Sequence, residues 1–166
     1  MKNFNDTVLL ITVTIIDFLY RNAPIQRFWV LETIARAPYF AFVSVLHLKE
    51  SLGLRDLTHY YLMKEHFAQT LNETEHLIEM EHRGGADCWV DRFFAYHLVL
   101  IYYWILVVYY FIDPVSAYHL NAAIEFHATE TYLDYLWHHP DDAKIAEIAV
   151  DEMNHYLELT RAMAMI

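Results

Sequence analysis

Glu73 and His76 stand three residues apart in the stretch LNETEHLIEM, among Leu71, Leu77, Ile78 and Met80. At helical spacing the acid and the imidazole share the inward side of a largely apolar segment. An ionised carboxylate there is costly unless something cationic or protic compensates it. The same Glu-x-x-His spacing recurs at Glu79/His82 and Glu152/His155. Glu79/His82 lies in the polar run EMEHRGG, roughly 240° around a helix from Glu73, and reads as a solvated pair. Glu152 and His155 instead share a face with Ile148 and Leu159. Two further acids interrupt apolar segments, Glu32 in FWVLETIARAPYF and Glu125 in YHLNAAIEFHATETY.

The elements that would position these groups are six helices, over about 5–20, 25–50, 56–83, 86–112, 115–138 and 142–164. The breaks fall at Gly53, Gly84-Gly85, Asp113-Pro114 and His139-Pro140, as helix-stop chemistry requires. Pro38 falls inside the second helix, where a kink is expected. Glu32 lies 21 residues before Gly53 and Glu73 lies 20 after it. An antiparallel hairpin therefore brings them level to within about one residue rise of 1.5 Å. Glu125 and Glu152 lie about 14 and about 12 residues from the turn at His138-His139-Pro140, and are levelled in the same way. The order Glu, Glu-x-x-His, Glu, Glu-x-x-His over four helices is the liganding pattern of di-iron and di-manganese carboxylate bundles. Two divalent cations would neutralise Glu32, Glu73, Glu125 and Glu152, with His76 and His155 in the same site. Oxygen-rich ligation with imidazole favours iron or manganese over zinc. Spacing does not choose between those two.

Composition agrees with an all-α chain. There are only three Gly and four Pro in 166 residues, with 57% hydrophobic residues. This suits a single domain over 1–166, a ferritin-like four-helix bundle with two additional helices. A net charge of −11 argues against nucleic acid as a partner. The lone Cys88 excludes an intrachain disulfide or a cysteine-ligated cluster. In the first helix the apolar run from Thr7 to Tyr20 is preceded by Asp6 and interrupted by Asp17. No small-residue cleavage site follows, so it reads as an interfacial helix and not as a cleaved signal or transit peptide. The stretch from Phe93 to Ile112 is long enough for a span. Five tyrosines, Trp104 and His97 are spread along it, which favours a helix lying in one leaflet.

The segments LETIARAPYFAFVSVLHLKESLGL, NETEHLIEME, GGADCWVDRFFAYH, AYHLNAAIEFHATETY and DEMNH resemble the membrane-bound di-iron quinol oxidases. These are the alternative oxidases and, more closely, their plastid terminal oxidase (plastoquinol oxidase) branch. The resemblance runs from about Asp6 to Leu159. It implies oxidation of two plastoquinol or ubiquinol molecules with reduction of O2 to water, without proton pumping. It also implies two iron ions, monotopic attachment to one leaflet of a thylakoid or cytoplasmic membrane, and a homodimer. By motif, Glu32, Glu73, Glu125 and Glu152 resemble the iron ligands. Whether His76 and His155 bond metal directly or act through hydrogen bonds is left open. Asn72 and Asp151 resemble residues that orient the ligands, and Tyr132 the redox-active tyrosine. Arg27, Leu31, Ala128 and Thr131 resemble the quinol pocket, and His47 a position near the dimer contact. Only 26 residues separate Glu125 from Glu152, so an insertion of the plastid members is absent. The rival reading is a ferritin-like di-metal protein for iron storage or ferroxidation. It would need the glutamates but not Arg27, Thr131 or the two apolar helices.

Overall fold

The computed structural model describes the backbone of residues 2–166 and the side chains from residue 4 onward. The helices are α1 (Lys2–Leu19), α2 (Pro24–Ser51), α3 (Leu57–His82), α4 (Trp89–Ile112), α5 (Pro114–His138) and α6 (Ala143–Met165), with no strand among the described residues. Helices α2, α3, α5 and α6 begin where local chemistry favours it. The Asp56 carboxylate accepts from His59 N at 2.7 Å, Asp113 from Ser116 N at 3.0 Å and Asp142 from Ile145 N at 3.2 Å. These bonds satisfy backbone donors that a first helical turn leaves without partners. Pro24 and Pro114 occupy first-turn positions, where a missing N–H costs nothing. Pro38 lies inside α2 without dividing it.

Helices α2 and α3 pack as one hairpin and α5 and α6 as the other, and contacts of α2 with α5 and of α3 with α6 close a four-helix bundle. Two aromatic-rich clusters fill it. One surrounds Phe28, Trp29, Met80 and Tyr132, and the other Tyr39, Phe42, Tyr110 and Tyr118. Helix α4 lies against α2 and α5, and α1 against α5. Their outer faces are apolar and exposed, with Phe18 at 81% and Ile112 at 74%. On α3 the expected apolar face is divided. Leu77 and Met80 are buried, whereas Leu71 and Ile78 are exposed in line with Tyr60 and Phe67. That spacing of seven and four residues makes a second stripe on the far side of the helix.

Gly53 and Gly84 take positive φ values of 76° and 86° at the ends of α2 and α3, a conformation glycine adopts without a Cβ clash. Gly85 is needed for a different reason. A Cβ there would lie 2.7 Å from Trp29 Cβ and 2.9 Å from the carbonyl oxygens of Ile25 and Met80. The turn after α3 thus presses directly on the start of α2. Replacing Gly85 with Ala should destabilise the bundle by about 1–3 kcal/mol, the usual cost of overpacking. Thermal unfolding would show this as a lowered Tm; an unchanged Tm would mean that the turn moves freely.

Candidate metal centre

The bundle brings Glu32, Glu73, Glu125, Glu152, His76 and His155 into one water-poor centre, with the four glutamates at most 1% exposed. Two overlapping groups form. Ligand atoms of Glu32, Glu73, His76 and Glu152 lie within 4.8 Å of one another, as do those of Glu73, Glu125, Glu152 and His155. Glu73 and Glu152 belong to both groups and stand between the two positions.

The centre is reciprocal. Across α3 and α6, His155 Nδ1 lies 2.7 Å from Glu73 Oε1, and His76 Nδ1 lies 3.0 Å from Glu152 Oε1. Across α2 and α5, the Tyr132 hydroxyl donates to Glu32 Oε1 and the Tyr39 hydroxyl donates to Glu125 Oε1. Each helix pair runs antiparallel, so equal offsets along the two chains generate matched contacts. Tyr39 follows Glu32 by seven residues, just as Tyr132 follows Glu125. Sequence reasoning picked out Tyr132 and missed Tyr39, although that repeated spacing was available.

Behind this shell, His76 Nε2 faces Asp151 Oδ2 at 3.2 Å, and Asn72 Nδ2 donates to the same oxygen at 3.4 Å. A proton held between Nε2 and Asp151 turns Nδ1 toward the glutamates. Arg27 Nη2 pairs with Asp17 at 2.6 Å and donates to Thr131 Oγ1 at 3.3 Å, while its Nε is buried without a partner. Leu31 and Ala128 are buried in the same core cluster as Tyr132. His127, which sequence reasoning passed over, places Nε2 3.5 Å from Thr131 Oγ1. His47 is exposed on α2, 3.6 Å from Glu50. Glu79 pairs with Arg83 at 2.7 Å and His82 is exposed, so this Glu-x-x-His stands apart from the cluster.

The unsatisfied atoms test whether metal fits. Oε2 of Glu32, Glu73, Glu125 and Glu152 are buried without a hydrogen-bond partner, and Glu73 Oε1 and His155 Nδ1, although 2.7 Å apart, are not aligned for a hydrogen bond. Native interiors rarely leave such groups unpaired. Neighbouring carboxylates can bond to one another only by sharing a proton, which ionised oxygens do not hold. The donor set of four carboxylates and two imidazoles suits a pair of iron or manganese ions. The residues present therefore fit the group.

Without metal, Glu73, Glu125 and Glu152 are biased toward their protonated forms. Burial, with the charges of Glu125 and Glu32, raises Glu73 well above its ordinary value. Burial and Glu152 raise Glu125 likewise, and burial with Glu73 and Glu32 pushes Glu152 up to about 8. Burial alone would lower His76, but hydrogen bonds to Glu152 and Glu32 push it up to about 12. Burial lowers His155. Above 6.5, the ordinary histidine value, the folded chain keeps protons at His76, Glu73, Glu125 and Glu152 that the unfolded chain has lost. Stability must then fall as pH rises. Groups lowered in the fold, such as His155, add stability only up to 6.5 and nothing above it. The metal-free protein should lose Tm between about pH 6.5 and about pH 8, and added Mn2+ should remove most of that loss. A flat Tm in this window, with or without Mn2+, would contradict the protonated cluster.

Among known proteins, the chain is similar to ubiquinol oxidase 4, chloroplastic/chromoplastic, of Arabidopsis thaliana, with 48% identity over 124 residues. The aligned part covers 75% of this chain and 35% of that protein, so the chain spans only about a third of its relative's length. No solved structure matches the chain. The sequence model of the alternative oxidase family matches residues 2–164, nearly every residue around the carboxylate centre included. The chain belongs to the alternative oxidase family.

Proposed function

We propose that the chain is a non-haem quinol:oxygen oxidoreductase using two iron ions at the carboxylate centre. The observation that carries this reading is a polar pair, Arg27 with Thr131, next in sequence to Tyr132, whose hydroxyl is bonded directly to Glu32 of the centre. A ferritin-like store would have the glutamates but no use for that pair. Glu32, Glu73, Glu125, Glu152, His76 and His155 would hold the metals, which supply the redox chemistry that transfers electrons to O2. Asn72 and Asp151 fix the His76 ring.

The quinol headgroup is bound by the free Nε–H of Arg27, held in place by Asp17 and Thr131, with Leu31 and Ala128 against the ring. Burial, with the Arg27 charge, lowers His127 and keeps its imidazole neutral, so that it can accept a hydrogen bond beside Thr131. A cavity of about 620 Å3 between α1 and α4, lined by Ile16, Tyr20, Ile34, Phe94, Leu98 and Tyr102 among others, gives the isoprenoid tail an apolar path. Its mouth opens beside the exposed apolar faces of α1 and α4. We place these faces in one leaflet of the bilayer, since α4 is long and apolar yet mostly unburied by the protein. Tyr132, next in sequence to Thr131 and bonded to Glu32, is in reach to pass an electron and a proton. The natural quinol is plastoquinol or ubiquinol, the host membrane a thylakoid or cytoplasmic one.

The second exposed stripe, Tyr60, Phe67, Leu71 and Ile78 on α3, together with the exposed Phe40 and Leu48 on α2, the helix that carries His47, suits a homodimer contact.

The direct test is oxygen uptake by iron-loaded protein in detergent with a short-chain quinol. Uptake should be cyanide-insensitive, and Glu73→Ala should abolish it together with iron binding. Tyr132→Phe should lower kcat at least about a hundredfold with iron retained, the order expected for loss of a group acting on a proton in the reaction. Arg27→Ala should raise KM for quinol with a smaller effect on kcat. Full uptake by Glu73→Ala would refute the site.

A further inference from the structure

The second aromatic cluster of the core contains a hydrogen-bonded chain for which packing gives no reason. Tyr110 OH lies 2.6 Å from Tyr118 OH, and Tyr118 OH lies 2.7 Å from His66 Nε2. His66 Nδ1 in turn lies 2.9 Å from Gln69 Oε1. Tyr110, Tyr118 and His66 are at most 1% exposed. Apolar side chains would fill this space at lower cost than a linked set of buried polar groups. With its Nδ1 proton given to Gln69, His66 keeps a lone pair at Nε2 for the Tyr118 hydroxyl proton. The chain therefore has a direction, from Tyr110 through Tyr118 to His66.

Both of its ends lead somewhere. At the outer end, Tyr110 lines a cavity of about 620 Å3 at the tip of the bundle, whose walls include Lys49, Arg55, Asp56 and His59. Lys49 Nζ sits 5.6 Å from the Tyr110 ring. At the inner end, helix geometry stacks the groups in layers. Gln69 and Asn121 each lie one turn beyond His66 and Tyr118, and Glu73 and Glu125 lie one turn further. Asn121 is 1% exposed, yet neither its amide nitrogen nor its amide oxygen has a partner in the protein. Tyr102 OH, on the same face of α4 as Tyr110, is also buried without one. A primary amide with every hydrogen-bonding position open, in a polar layer between a bonded chain and a carboxylate cluster, is where internal water is held.

We propose that Tyr110, Tyr118, His66 and water bound at Asn121 form a proton path from the Lys49 end of the bundle to the carboxylate centre. This rests on the quinol oxidase reading above, in which each electron that reaches oxygen must be matched by a proton. A proton arriving at Tyr110 displaces the hydroxyl proton of Tyr110 to Tyr118, and that of Tyr118 to His66 Nε2. The imidazolium releases its Nδ1 proton into the water of the Gln69–Asn121 layer, one turn from the centre. Return of the His66 imidazole from its Nε2–H to its Nδ1–H form, by rotation of the ring, together with rotation of the two hydroxyls then resets the chain. No electron moves in these steps, and one proton leaves for each that enters. The path lies in a different core cluster from Arg27 and Tyr132, so proton delivery and quinol binding use separate routes.

The test uses iron-loaded protein and the variants Tyr118→Phe and Asn121→Leu. The first removes one hydroxyl and keeps the ring; the second fills the water site. Both should retain iron and the KM for quinol, while kcat falls at least about tenfold and its solvent deuterium isotope effect grows. A readout independent of turnover is proton uptake, followed with a pH indicator, when chemically reduced protein is oxidised by O2 without quinol. Each variant should slow this uptake without changing its extent. A crystal structure of the wild type should show ordered water on the Asn121 amide. A dry amide layer, or variants with wild-type uptake rates and isotope effects, would overturn the path while leaving the oxidase reading intact. A folded wild type without iron would sink both. Should Tyr118→Phe fail to fold, the water and the Asn121→Leu uptake rate still decide.

Discussion

Everything in this molecule is arranged around the cost of burying four carboxylates together. Five glutamate oxygens of the centre accept no hydrogen bond within the protein, and two of them belong to Glu73. Like charges at this separation cannot all persist in a medium of low polarity. The fold can exist with protons on the acids or with cations between them, and the two states exclude each other. This competition sets the centre apart from a solvated acidic patch and suits it to hold cations. It also explains why the surrounding donors are so sparing. Tyr39 and Tyr132 each cap one oxygen and leave its mate free, and His76 does the same for Glu152.

The symmetry of the arrangement follows from antiparallel packing. On α2 and α5 a tyrosine seven residues after a glutamate meets the glutamate of the other helix. On α3 and α6 a histidine three residues after a glutamate does likewise. Two hairpins thus build a centre with equivalent halves, although their surroundings differ. Beside the Tyr132 half, Thr131 accepts from Arg27, and Ile16 and Val30 of the same core cluster line the apolar cavity. The Tyr39 half faces His66 and Tyr118, with the Tyr39 and His66 ring centroids 6.0 Å apart. Asymmetric surroundings are thereby laid over a symmetric frame.

Much of this was legible in the sequence because the underlying quantities are periodic. Residue counts from Gly53 and from His139-Pro140 levelled the glutamates, and the turn chemistry at those points located the helix ends. The liganding order then suggested the class of site. What escaped depends on the rotation of one helix against another, which no single-chain period encodes. Tyr39, His127, the His66–Tyr118 pair and the unpaired Asn121 all looked like ordinary core or surface residues until the bundle was assembled. Leu71 and Ile78 illustrate the reverse error. They belong to an apolar segment and were read as buried, yet they form an outer stripe because α3 has two apolar faces. Gly85 likewise read only as a helix stop, while its contact with Trp29 is tertiary.

Of all measurements, metal stoichiometry bears most directly on the central claim. Folded protein titrated with Fe2+ under anaerobic conditions should take up about two ions per chain, as a di-metal carboxylate bundle does. Uptake should be accompanied by release of the protons that the glutamates had shared. Fewer than about one tightly bound ion per folded chain, or binding with no proton release, would contradict it.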